Sequence, residues 1–417
     1  MKKLLSALFF LYAGSLYAQE MVTATTDAGQ GMHFEHDSWA AIKAKAKAEH
    51  KNIFMDAFTT WCGPCKMMAK NIFPLPEAGA FFNEHYINVK VQLDTTKKDD
   101  DYIKGWYADA HNIMIDYGVR VFPTYLFISP EGKLLHRAVG SSDIAAFIQK
   151  GKDALDPEKQ YYTLIDRYNA GERSAPFLKN LSEAAYNAYD KPALAIYSKS
   201  YIASQTDMKT EANIRFIDMV TESTKDPGFE IILKDPVAYN AVMGAGTAEK
   251  KIRDIAFREE VGRIVKNGMS PDWAKVEKDL TAKYGTMGKE ITSYTKIMVL
   301  RRSQDWPAFS KEVTSYLKTY ANRASADELN SYAWNIFENC SDMACVEQAL
   351  DWSKTSVDLS GNPMFIDTYA NLLYKNGKKD AAIEWEEKAL TLSKEKNEDA
   401  SAYEENLGKM KKGEKTW

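Results

Sequence analysis

Residues 52–66 read NIFMDAFTTWCGPCK. Asn52 to Phe58 is a continuous apolar run with one acid inside it, Asp56, and predicts a strand buried on both faces. Two residues separate Cys62 from Cys65, and the following KMMAKNIF can continue as a helix. A cysteine at a helix start meets unpaired N–H groups and the positive end of the macrodipole, which both favour its thiolate. The spacing sets the second sulfur one helical turn along, within disulfide reach. Cys62 is therefore expected to be an exposed nucleophile that attacks a substrate disulfide, with the deeper Cys65 resolving the mixed disulfide. A zinc half-site is the competing assignment, but it needs two further ligands. The other cysteines, Cys340 and Cys345, lie far along the chain, and the six histidines show no ligand spacing, so no metal is expected.

Asp56, six residues before Cys62, would be a buried carboxyl with a raised pKa, able to take the Cys65 proton during resolution. Ile87 to Leu93 (INVKVQL) alternates and predicts the neighbouring strand, with Lys90 as an ionic partner for Asp56 or else a side chain reaching to solvent. Thr124 to Ile128 is a third strand. The Ser-Pro-Glu-Gly turn at 129–132 leads it into a hairpin with Leu134 to Val139. Asp37 or Ser38 can cap a helix running through Glu49, and Ser142 to Lys150 reads as a closing helix. Phe122-Pro123 stands at the mouth of a strand. A cis bond there would bring the backbone of residue 122 beside the sulfurs, ready to pair with an extended substrate chain.

DAFTTWCGPCK, the Lys90 strand ending in Asp94, YGVRVFPTYLFISPEGK and the Gly140 before the closing helix together resemble the thioredoxin-fold thiol:disulfide oxidoreductases. The resemblance covers residues 33–155, under a third of the chain. It implies an α/β fold with a central mixed sheet flanked by helices. It also implies nucleophile Cys62, resolving Cys65, and proton acceptor Asp56 with Lys90. Trp61, Gly63, Pro64, Phe122, Pro123 and Gly140 would then border the substrate. The Gly63-Pro64 dipeptide is that of thioredoxin itself and implies a reducing poise. The chemistry calls for no cofactor beyond the Cys62–Cys65 disulfide. Its implied partners are protein disulfides and an electron donor such as a membrane thiol reductase. Two features depart from plain thioredoxin: residues 95–122 are longer by about one turn and a helix, and Lys70 stands where a helix-kinking proline is usual.

Lys2 and Lys3, the apolar Leu4 to Leu11 and a small-residue site ending at Ala18 form a secretory signal over 1–18, which points to a periplasm. Residues 19–32 read as a linker. Lys plus Arg number 54 against 58 Asp plus Glu, a net charge of −4, which leaves no basic footprint for nucleic acid. From 156 to 417 strand signals give way to helical ones, predicting an all-α helical-repeat domain. Ala349-x-x-Trp352 matches Ala382-x-x-Trp385 and Tyr332-Ala333 matches Tyr369-Ala370, so residues 326–395 resemble tetratricopeptide repeats. Tyr332 to Ala349 is four residues longer than Tyr369 to Ala382. Those four are expected in an enlarged inter-helix loop closed by a structural Cys340–Cys345 disulfide.

The function expected is a secreted oxidoreductase reducing protein disulfides, with the helical part binding partners. The alternatives are a disulfide isomerase or oxidase, or a helical-repeat binding protein with an accessory redox domain.

Overall fold

A computed structural model describes residues 31–265, 271–320 and 323–417. The expected signal at 1–18 and all but the last two residues of the linker lie outside that range. Two units emerge. The first reaches Glu172 and includes Glu183–Asp190; the second takes Arg173–Ser182 and Lys191–Trp417.

In the first unit α1 (Trp39–Glu49) starts at Ser38, whose hydroxyl accepts from the Ala41 N–H. It leads to β1 (Asn52–Phe58), α2 (Gly63–Asn71), α3 (Pro76–His85), β2 (Tyr86–Gln92) and α4 (Asp101–Asp116). After these come β3 (Thr124–Ile128), β4 (Leu134–Val139), α5 (Ile144–Leu155) and α6 (Tyr161–Asn169). The strand order is β2-β1-β3-β4. β1 and β2 are parallel, which requires the helical crossover that α2 and α3 provide, whereas β3 and β4 run antiparallel through a tight turn. Gly132 takes φ of +89° in that turn, a conformation costly for any residue with a Cβ.

Alternation along β1 sends Ile53, Met55 and Ala57 to one face and Phe54, Asp56 and Phe58 to the other. The first face packs on Trp39, Ile42, Trp106 and Ile113. The second packs on Met68 of α2, Phe82 of α3 and Phe147 of α5. Phe54 is its centre, with ring centroids 4.8 Å from Phe82, 5.4 Å from Phe127 and 5.9 Å from Phe147. Burying that side chain contributes about 3 kcal/mol. The unit continues past residue 155 because α6 docks on β4, where the Tyr161 N–H donates to Nδ1 of buried His136 at 3.1 Å.

The second unit is helical throughout its described residues. Its helices begin with α7 (Ala175–Asn187), which the boundary between the units divides, then α8 (Lys191–Ala203), α9 (Glu211–Val220), α10 (Pro227–Lys234) and α11 (Pro236–Met243). They continue with α12 (Thr247–Ile264), α13 (Trp273–Tyr284), α14 (Met287–Ser303), α15 (Trp306–Tyr320) and α16 (Ala326–Asn339). The last four are α17 (Met343–Ser360), α18 (Pro363–Lys375), α19 (Lys379–Glu395) and α20 (Ser401–Lys412). Arg253 is fully buried at the join of several of these helices. It stacks 4.1 Å from the Tyr294 ring and donates to Tyr316 Oη at 2.7 Å and to Glu328 at 2.6 Å. Paired this way the guanidinium is tolerated; removing one partner would strand a buried charge. No described helix is long and apolar enough to cross a membrane.

The enlarged loop expected around Cys340 is absent. Three residues separate α16 from α17 and three separate α18 from α19, so the four extra residues lengthen the helices instead. Cys340 closes α16 and Cys345 lies in the first turn of α17. The expected disulfide between them is not formed: both are buried free thiols in side-chain contact. Burial and the neighbouring Cys340 push the Cys345 thiol up, leaving little thiolate to exchange.

Candidate active site

The site forms where β1 ends and α2 begins, at the carboxyl edge of the sheet. Cys62 is the N-cap of α2, with extended φ −73° and ψ 107°, and the Cys65 N–H donates to its Sγ at 3.1 Å. Pro64 occupies the first turn, where its missing N–H has no helical partner to lose. Cys62 and Cys65 are joined, S–S 2.06 Å and Cα–Cα 5.3 Å. The expected exposure of Cys62 is not found: it is 3% exposed and Cys65 4%. The neighbouring Trp61, by contrast, is 69% exposed and meets the Phe122 ring edge-on at 5.7 Å. A Cβ at Gly63 would touch nothing within 4 Å, so that corner of the helix is open.

Phe122–Pro123 is cis. The Pro123 carbonyl accepts from the Gly140 N–H at 3.0 Å, tying the start of β3 to the end of β4. Gly140 itself has φ of +84°. Asp56 is 1% exposed, on the face of β1 that packs under α2. Register pairs it with Lys90 on β2 and Tyr125 on β3. Lys90 Nζ stands 3.6 Å from Asp56 Oδ2, while Oδ1 is buried with no protein hydrogen-bond partner. Burial pushes the Asp56 carboxyl up to about 6, against the opposing pull of the Lys90 ammonium. A carboxylate of that basicity is ionised at neutral pH and accepts a proton from a buried thiol more readily than an ordinary aspartate would.

Asp94 is a positioning residue the sequence reading passed over as a strand end. It accepts the Thr60 N–H at 2.9 Å and the Thr60 hydroxyl, fixing the backbone two residues before Cys62. Asp94 is anchored in turn by Gln92, whose Nε2 donates to its carbonyl at 3.0 Å and to Asp99 at 3.1 Å. Polar residues immediately after a β-strand that points at a CxxC loop were the available signal. Among the described residues no group of three or more His, Cys, Asp or Glu side chains is arranged to hold a metal ion.

A family model described as thioredoxin-like domain matches residues 40–155. Thioredoxin-2 of Pyricularia oryzae is 32% identical over 97 residues, which are 23% of this chain and 46% of that protein. The thiol:disulfide interchange protein DsbD of Pseudomonas fluorescens is 26% identical over 127 residues, 28% of this chain and 20% of that one. The chain thus spans less than half the length of either relative. Among solved structures, a DsbH oxidoreductase is 27% identical, aligned over 31% of this chain and 87% of that chain with a TM-score of 0.27.

Proposed function

Residues 40–155 being a thioredoxin-like domain of the thiol–disulfide oxidoreductase family, we propose that the protein reduces disulfides in other proteins through Cys62 and Cys65. The observation that carries this is Cys62 at the head of α2 with a backbone N–H aimed at its sulfur and Cys65 bonded behind it. In the reduced protein the Cys62 thiolate attacks one sulfur of a substrate disulfide. A Cys62–substrate bond forms and the other substrate sulfur leaves as thiolate. Asp56 takes the Cys65 proton, the Cys65 thiolate attacks Cys62 Sγ, and the second substrate sulfur is released. The substrate gains two electrons and the enzyme is left as the Cys62–Cys65 disulfide seen here.

Trp61, whose ring meets that of Phe122, and cis-Pro123 would form the surface against which an extended substrate chain lies. Continued turnover needs a donor of two electrons. A membrane thiol reductase would fill that role, and the signal-like residues 1–18 support work outside the cytoplasm. The helical unit would select clients. Insulin reduction with wild type and Cys62→Ser tests the activity, which should be lost in the variant. Cys65→Ala should accumulate client mixed disulfides; equal insulin reduction by wild type and Cys62→Ser would refute the proposal.

A further inference from the structure

Lys90 lies within three phenyl rings. Its Nζ is 5.6 Å from the Phe34 centroid, 5.0 Å from Phe58 and 5.2 Å from Phe73, each within cation–π range. The rings come from three places in the chain: Phe34 precedes α1, Phe58 ends β1 and Phe73 follows α2. We propose that these rings form a cage holding the Lys90 ammonium against Asp56, and that Phe34 is thereby a positioning residue for proton transfer at the dithiol. The proposal rests on the thiol–disulfide reading above and deepens it.

The segment bearing Phe34 is pinned as a cage wall would need to be. The Met32 N–H donates to the Phe73 carbonyl at 2.8 Å and the Glu35 N–H to the Asn88 carbonyl at 2.8 Å. Asn83 accepts the His33 N–H at 2.8 Å, and Asn88 Nδ2 donates to the His33 carbonyl at 3.0 Å. Phe34 and Phe73 also meet ring to ring at 5.5 Å. An aliphatic wall would strip water from the ammonium and give nothing back. Phenyl faces strip the same water and attract the cation through their quadrupoles. Lys90, with 30% of its side chain exposed, is thus held beside a carboxyl 3.6 Å away instead of swinging into solvent.

The groups facing Asp56 are few. Lys90 comes from β2 and Tyr125 from β3, each paired in register with Asp56. Lys150 of α5 lies over the Tyr125 ring at 5.3 Å and spends its protons on the carbonyls of Val139 and Gly140. Burial raises the Tyr125 hydroxyl, so it stays neutral, and Lys150 is brought down to about 8 by burial. Lys90 is therefore the cation on which the Asp56 charge depends. Loosening it makes Asp56 harder to ionise.

The test is the Asp56 carboxyl titration in reduced, full-length protein, followed by carbon NMR with labelled aspartate. Wild type, Phe34→Leu and Phe34→Tyr are compared. Leucine preserves the apolar wall and removes the quadrupole; tyrosine keeps both. The leucine variant should hold its proton about threefold more tightly, a midpoint about half a pH unit higher, with the tyrosine variant at the wild-type position. Release of substrate from the mixed disulfide should move along pH by the same amount. An unmoved midpoint in Phe34→Leu, or an equal shift in both variants, would overturn the cage. Should Phe34→Leu not fold, Phe58→Leu and Phe58→Tyr make the same comparison. Because the titration needs no client, it decides the cage independently of insulin reduction, which decides the function.

Discussion

Replacing Asp56 with asparagine should stabilise the protein while impairing it. Burial raises this carboxyl from 3.8 to about 6. The folded value exceeds the unfolded one, so between those pH values the folded protein holds a proton that the unfolded chain has given up. Stability from this group is therefore greatest below pH 3.8, declines as pH rises through 6, and stays at its low plateau above. A rise from 3.8 to about 6 corresponds to about 3 kcal/mol. Asparagine keeps the shape and discards the charge, and the partly exposed Lys90 can turn to water. Urea unfolding of oxidised Asp56→Asn at pH 8 should show a gain of up to about 3 kcal/mol over wild type, shrinking to nothing near pH 4. The same change removes the proton acceptor, so release of substrate from the mixed disulfide should slow by about a hundredfold or more. A variant no more stable than wild type at pH 8, or a gain equal at both pH values, would refute the assignment of Asp56 as a strained, ionised core carboxyl.

Burial holds His136 down at about 4, with Nδ1 accepting the Tyr161 N–H, so the folded state resists its protonation while the unfolded chain protonates below 6.5. Wild type should lose up to about 3 kcal/mol relative to His136→Gln as pH falls from 6.5 to 4, and parallel pH profiles of urea unfolding would contradict this. Gly288→Ala would drive a Cβ into the backbone of Leu280 and Thr281 where α13 meets α14, costing about 1–3 kcal/mol in thermal unfolding; an unchanged midpoint would show that the crossing relaxes freely. Native protein treated with iodoacetamide should keep Cys340 and Cys345 unmodified. Unfolding without reductant should then add two alkyl groups, and none would mean that the pair is oxidised after all.

The first unit was legible where sequence signals are local and mutually consistent. Apolar NIFMDAF, alternating INVKVQL and the Ser-Pro-Glu-Gly turn each specify strand or hairpin without help from distant residues. The helix α3 was passed over because Gly79 and two prolines dilute its pattern. Pro76 at the first helical position was the signal present. Exposure of Cys62 was misjudged because a motif reports which residues react and not how neighbouring segments cover them, and in the oxidised pair both sulfur-bearing residues are buried. The Cys340–Cys345 expectation failed on a length argument: four extra residues between matched positions can extend two helices as easily as one loop, and here they do. Asp94 and Phe34 reach the site through pairings between segments more than twenty residues apart, which periodicity does not report.

The proposed chemistry depends above all on the acidity of one thiol. Reduced protein titrated by ultraviolet absorbance, with Cys62→Ser to assign the signal, should show the Cys62 thiolate forming at about pH 7. A midpoint at about 8.5 or higher, the value of an unassisted cysteine, would contradict it.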